Sequence, residues 1–196
     1  MARNRQAVHQ RLQQAALELF RERGYDHTTA AEIAAHAGVT ERTFFRHFAD
    51  KRDILFGGEE AIQVALTAAL ADAPADFTPL QALQHAFRAV CGMFEENRAF
   101  SEPRQQVIAA TPALREREAG KMASIMAALV LTLEQRGVEP RLATLVVQVG
   151  AAAFSYALAA WLADASEDLN THLERAFERL RALSVADERT GPPHVP

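Results

Sequence analysis

The sequence predicts an all-α fold of about nine helices: an N-terminal three-helix unit containing a helix-turn-helix, then a larger helical body. Three observations predict it. Apolar residues recur at three- and four-residue steps almost throughout, whereas strict alternation is absent and β-branched runs are short. Cap residues followed by proline, or by glutamate three positions on, mark the starts of these runs. Gly24, Gly38 and Gly137 stand where three of them stop.

The elements follow in order. Val8, Leu12, Ala15, Ala16, Leu19 and Phe20 make an amphipathic first helix over about 5–23, stopped at Gly24. Thr29, with Glu32 completing a capping box, starts a second helix over 30–37. Gly38 supplies the turn, and Thr40 caps a third helix over 41–47. Asp50 caps a long fourth helix over 51–72, carrying Ile54, Leu55, Ile62, Leu66 and Leu70. Beyond the linker Pro74 to Pro79, helices are predicted over 79–98, 101–110 and 112–137. An alanine-rich helix follows over 140–163, and a last one, capped by Ser166, over 167–184. The division is thus residues 1–50 as a helix-turn-helix domain and 51–186 as a larger helical domain. The tail 187–196, with TGPPHVP, reads as disordered.

Composition bounds the function. Hydrophobic residues make up 49% and charged residues 23% of the 196, an ordinary soluble mixture. Residues 1–53 hold nine Lys/Arg against seven Asp/Glu, a balance of +2; the remainder hold twelve against eighteen, or −6, which sums to the whole-chain −4. A mildly basic head on an acidic body suits a protein that presents one end to a polyanion. A single cysteine, Cys91, excludes an internal disulfide and fits a reducing cytoplasm, and no signal peptide is apparent. The apolar run Leu142 to Ala163 is long enough for a bilayer. It lacks cationic and aromatic anchors, contains Gln148, and reads as a buried helix, so no membrane partner is expected.

The segment Thr29 to Lys51 carries the chemistry. Ile33, Ala34, Ala37, Val39, Phe44 and Phe48 supply the inner contacts of a helix-turn-helix, with Phe44 and Phe48 sharing one face. Arg42, Thr43, Arg46 and His47 point elsewhere, and Lys51 follows. Arg42 and Thr43, near the helix N-terminus, can meet base edges, Arg42 through guanine O6 and N7. Arg46, His47 and Lys51 leave cations for the flanking phosphates, and the N-termini of the second and third helices aim partial positive charge at phosphate. Glu41 can accept from cytosine N4 or simply favour the helix N-terminus as an anion. A solvated helical hairpin is the competing reading.

The same stretch, Phe20 to Phe56 and above all GVTERTFFRHFADKRDIL (Gly38 to Leu55), resembles the N-terminal domain of TetR-family transcriptional regulators. The resemblance implies a homodimer that sets two recognition helices in successive major grooves of palindromic double-stranded operator DNA, its C-terminal domain binding an effector. It implies contacts by Thr29, Thr40, Thr43, His47 and Lys51. Position 45 departs: the family usually has tyrosine, and Phe45 retains only van der Waals contact with sugar or a thymine methyl. The run Arg104 to Leu129 is similar to a subgroup that includes mycofactocin-system and acyl-CoA-responsive regulators, implying an apolar small-molecule effector with an acidic, acyl-CoA-like head.

Phe87, Val90, Cys91, Phe94, Ile108, Met122, Ile125, Met126, Leu129 and Phe154 are candidates for lining an effector pocket, with plain core packing as the alternative. Arg104, His85 and Arg98 are candidate polar anchors. The small residues Gly150 to Ala153, Ala157, Ala159 and Ala160 suggest a subunit interface or close packing within the chain. No HExxH, Cys/His cluster, phosphate-cradling loop or nucleophile elbow is present, so no enzyme activity, metal or cofactor is expected. The sequence predicts a cytoplasmic DNA-binding regulator, a repressor released by effector; activation, or effector binding without regulation, are the alternatives.

Overall fold

The computed structural model describes residues 2–164 and 166–186, all helix and connection with no strand among them. The helices are α1 (Ala2–Arg23), α2 (Ala30–His36), α3 (Glu41–His47), α4 (Asp53–Phe56), α5 (Glu59–Ala71), α6 (Pro79–Glu96), α7 (Arg98–Ala110), α8 (Pro112–Gln135), α9 (Pro140–Ala163) and α10 (Leu169–Ala186). The expected tail at 187–196 lies outside the described residues.

Local chemistry explains most boundaries. The Thr29 hydroxyl accepts from the Glu32 N–H at 3.2 Å, and the Glu32 carboxylate accepts from the Thr29 N–H at 2.8 Å, completing the capping box. Thr40 accepts from the Thr43 N–H at 3.2 Å. Each such cap stabilises its helix by about 1 kcal/mol. Thr78 and Gln81 repeat the reciprocal pattern at the start of α6. Glu139 accepts from the Leu142 N–H ahead of α9.

Two expectations are corrected. The helix expected over 51–72 is broken into α4 and α5, because Gly57 is extended and Gly58 lies at φ +93°. That left-handed conformation is open to glycine at little cost, and it interrupts the intrahelical hydrogen bonds. Asp50 still accepts from the Asp53 N–H at 2.9 Å, so its capping role survives with a shorter helix. The last helix is capped by Asp168 and not Ser166: the Asp168 carboxylate accepts from the Thr171 N–H at 2.7 Å, and Ser166 sits in a preceding turn closed on Asp164.

The chain gathers into two compact units. The first runs to Ala61 and adds Asn97–Met122; the second takes Ile62–Glu96 and the described chain from Ala123. A boundary at residue 50 therefore omits α4, α7 and the start of α8 from the first unit. The reason is packing, since Ile54, Leu55, Phe56, Val107, Ile108 and Leu114 are buried in one core with Leu12, Ala16, Ile33 and Phe44.

In the second unit, α6, α9 and α10 pack around Leu83, Val90, Val147, Leu173 and Phe177. Arg88 on α6 reaches Asn170 and Glu174 on α10, and Glu95 accepts from the Leu169 N–H that opens α10. The buried stripe of α9 is Ala143, Val147, Gly150, Ala153, Ala157 and Trp161, at three- and four-residue spacing. Part of the small-residue set thus serves packing within the chain. By length and composition α9 could cross a membrane, as could the Asp53–Ala71 stretch. In α9, however, one stripe is taken up by its own unit.

Gly150 marks the tightest approach. A Cβ there would meet Leu83 Cδ2 at 2.3 Å, and Leu83 is wholly buried. Gly150→Ala is expected to destabilise the protein by about 1 kcal/mol net, overpacking outweighing improved helix propensity. Gly92→Ala and Gly120→Ala, in α6 and α8 with open space at the Cβ position, are expected to stabilise by up to about 1 kcal/mol. Urea-unfolding midpoints of the three variants check the contrast in sign.

Candidate nucleic-acid interface

The turn between α2 and α3 is fixed by backbone. Gly38, at φ +68°, donates to Ala35 O, and Val39 donates to Ala34 O at 2.9 Å. Phe44 is completely buried and Phe48 nearly so, which sets the rotation of α3 about its axis. Glu41, Arg42, Phe45 and Arg46 are consequently exposed, with Thr43 half-buried. Thr40, Arg42, Thr43, Phe45 and Arg46 line a shallow concavity of about 570 Å³.

Individual side chains differ in readiness. No hydrogen bond or ion pair engages Arg42 or Arg46 among the described residues, leaving their guanidinium donors available. The Thr40 and Thr43 hydroxyls lie 3.0 Å apart, so each already has a partner in the other. The Thr29 hydroxyl donates to Glu32. Phe45 is 52% exposed, an apolar ring set among cations, and its ring meets that of Phe44 edge-on at 5.2 Å.

Lys51 is more embedded than its place in the sequence suggests. Its ammonium donates to Tyr25 O at 2.8 Å and Thr28 O at 3.0 Å, and lies 4.3 Å from the centre of the Tyr25 ring. It therefore clamps the loop between α1 and α2, with one donor left for an outside acceptor. Burial, reinforced by the Asp50 charge, pushes the Tyr25 phenol up to about 12, so it stays un-ionised.

His47 is half-buried and its Nε2 is enclosed without a hydrogen-bond partner. Its neighbour is His9 of α1, ring centres 6.1 Å apart, and His9 also packs on Phe48 at 4.5 Å. Sequence reading missed His9. The available signal was its position three residues before Leu12, on the buried stripe of α1. Both histidines titrate below the ordinary 6.5. Burial is the first cause for each; for His9 the charge of His47 follows, and for His47 that of Arg46.

A second missed cluster holds the end of α4. Arg104 Nε donates to Leu55 O, Lys121 Nζ donates to Phe56 O at 3.1 Å, and Arg104 pairs with Glu118 at 2.7 Å. Arg104, Arg117 and Lys121 all lie within about 5.3 Å of the Phe56 ring centre. A composition count shows these cations but cannot show that they converge.

The candidate effector residues separate between the units. Phe87, Val90, Cys91 and Leu129 are buried in the second unit's core, with Phe94, Ile125, Met126 and Phe154 packed on it. Phe87 and Phe154 stack at 4.8 Å, and Phe94 meets Phe154 edge-on at 5.5 Å. The Cys91 thiol donates to Phe87 O, and burial pushes it up to about 12, which leaves it protonated. Ile108 belongs to the first unit's core, Arg104 to the α4 clamp, and Met122 is 45% exposed in that same unit. His85 contacts Phe77 edge-on at 6.0 Å. Among the described residues, no group of three or more His, Cys, Asp or Glu is placed to hold a metal.

Lys51→Met is expected to cost about 1–3 kcal/mol of stability, because two backbone carbonyls lose a charged donor. A urea midpoint unchanged from the parent would show that Lys51 has no structural role. The histidine pair predicts a pH effect of definite sign. Folded values depressed below 6.5 mean that the unfolded chain binds protons more readily, so stability is intact above about pH 6.5 and falls as pH drops below it. His9→Gln is expected to flatten that slope in thermal melts between pH 7 and 5.

Comparison with known proteins fits this geometry. Residues 12–57 match the family described as bacterial regulatory proteins, tetR family, and residues 77–184 match the MftR C-terminal domain. The HTH-type transcriptional regulator TcmR of Streptomyces glaucescens is 52% identical over 77 residues, covering 39% of this chain and 34% of that protein. The HTH-type transcriptional repressor BepR of Brucella suis biovar 1 (strain 1330) is 34% identical over 120 residues, covering 57% and 52% respectively. The chain thus matches about a third to a half of the length of these relatives. The crystal structure of Thermus thermophilus FadR, a TetR-family transcriptional repressor in complex with lauroyl-CoA, superposes with a TM-score of 0.51 at 24% identity, covering 87% of this chain and 91% of that one. With a helix-turn-helix at one end and the MftR type of body over more than half its length, this chain belongs to the TetR family of bacterial regulatory proteins.

Proposed function

We propose that this protein is a homodimeric transcriptional repressor that sets α3 into the major groove of a palindromic operator. The observation that carries this reading is the outward row of α3: Arg42, Phe45 and Arg46 are exposed on a helix whose opposite face is locked by Phe44 and Phe48. Arg42 and Thr43, in the first turn, meet base edges, with Arg42 forking onto guanine O6 and N7. Arg46, Thr40 and the remaining Lys51 donor serve phosphate, whereas Thr29 spends both its donors on Glu32 and His47 keeps its Nε2 enclosed. Glu41 favours the N-terminus of α3.

The dimer reading rests on α9. Opposite its buried stripe, Leu142, Leu145, Ala152, Tyr156 and Ala159 are exposed at helical spacing, with Val149 half-buried between them. A second copy of this helix would cover that stripe and give the two-fold symmetry that a palindrome requires. The effector reading is an acyl-CoA-like molecule, apolar with an acidic head. It is supported by the MftR type of body and by FadR, whose complex holds lauroyl-CoA. Such a ligand would have to part the packed rings of Phe87, Phe94 and Phe154. This protein would act in the cytoplasm.

Selection from a random duplex pool with the purified protein is expected to return a palindrome whose half-sites are about 10 base pairs apart, centre to centre. A pool that returns no preferred sequence would overturn the reading. On the selected site, Arg42→Ala is expected to cost about 1–3 kcal/mol and to relax preference at one position per half-site. Arg46→Ala is expected to weaken all sequences alike and to reduce the slope of log affinity against log salt by about 1 per subunit. Titrating the complex with lauroyl-CoA, CoA and laurate separately tests the effector class, release by lauroyl-CoA alone being the expected result.

A further inference from the structure

Before Glu18 the chain carries no carboxylate, yet it carries Arg3, Arg5 and Arg11. The first turn of α1 thus holds arginine and no acid, although the helix dipole disfavours a cation at that end. Arg5 is exposed, and no hydrogen bond or ion pair engages it among the described residues.

Its place on α1 brings Arg5 to the recognition helix. It precedes His9 by four residues, so the two share one face of α1, with Cβ atoms about 5–6 Å apart. His9 packs on Phe48 at 4.5 Å and lies 6.1 Å from the His47 ring, at the C-terminal end of α3. The titratable and charged groups facing this junction are Arg5 and His9 from α1, Arg46 and His47 from α3, and Asp53 from α4. Asp53 is occupied, its carboxylate accepting from the Ala49 N–H at 3.0 Å. His47 is neutral at pH 7, because burial first, and then the charges of Arg46 and Arg5, hold it below the ordinary 6.5. Its Nε2 is also enclosed without a partner. Two exposed guanidinium groups from two helices, Arg5 and Arg46, therefore flank an uncharged imidazole. Like charges so placed repel, and an anion held between them relieves the repulsion.

We infer that Arg5 and Arg46 together form a binding site for one backbone phosphate of the operator, at the junction of α1 and α3. This rests on the operator-binding reading above and extends its contact surface beyond the helix-turn-helix to the first helix. A guanidinium donates two parallel hydrogen bonds to phosphate oxygens, which suits a pair of arginines to a single phosphate. Phosphate is the same at every base pair, so Arg5 adds affinity and register without sequence preference.

The test uses the operator recovered by selection and the full-length protein. Arg5→Gln is expected to weaken binding to all sequences alike and to reduce the slope of log affinity against log salt by about 1 per subunit. Arg11→Gln, exposed but about 120° around α1 from Arg5, is expected to leave that slope unchanged. Replacing each phosphate of a half-site in turn by an uncharged methylphosphonate locates the contact. One position is expected to cost the parent on the order of tenfold, and Arg5→Gln or Arg46→Gln no more than about threefold. Circular dichroism checks that the variants, each altered at an exposed side chain, fold as the parent does. A salt slope unchanged in Arg5→Gln overturns the inference, as does an equal drop in Arg11→Gln. So does a methylphosphonate series in which Arg5→Gln keeps every sensitivity of the parent. Failure to recover any operator would instead count against the DNA-binding reading itself, so the two failures are distinct.

Discussion

Phe44 and Phe48 sit one turn apart on α3, and their burial against the first unit's core fixes how that short helix is rotated. The direction of every outward side chain of α3 depends on this rotation. A seven-residue helix has little stability of its own, because nucleation is costly and few backbone bonds follow. Its order is therefore borrowed from the core, from the Thr40 cap and from the Gly38 turn. Were the two phenylalanines less deeply held, the arginines would still be present but would not share a defined direction.

The rest of the first unit works to the same end. Lys51 ties down the loop that precedes α2, and His9 packs against Phe48 at the far end of α3. Arg104 and Lys121 close the carbonyls of α4, a helix of only four residues that takes its shape from its neighbours. Several of these supports are cations turned inward. Part of the first unit's positive charge is accordingly committed to holding the fold.

Much of this was legible in the sequence, for reasons that are themselves physical. Thr29 with Glu32, Thr40, and proline after Glu139 are local signals, and the helices they open begin where expected. The Phe44–Phe48 spacing marked the inner face of α3 without any tertiary information. What the sequence hid depends on distance along the chain. Nothing local says that Arg104 reaches Leu55, or that Lys51 meets Tyr25. The break at Gly57–Gly58 was visible as a glycine pair, but helix and left-handed turn are both open to such a pair and only packing chooses between them. Apolarity alone cannot separate Ile108 in one core from Phe87 in another.

The two-sided character of α9 has a thermodynamic consequence. Its inner stripe is satisfied within one chain, whereas Leu142, Leu145 and Tyr156 remain in water. If a second copy covers them, part of the folding free energy is supplied by association, and the measured stability becomes a function of protein concentration. Unfolding midpoints would rise with dilution reversed, and a value quoted without its concentration would describe neither the chain nor the dimer. For the proposed operator, occupancy would inherit the same dependence, becoming steeper than first order in protein at levels where single chains prevail.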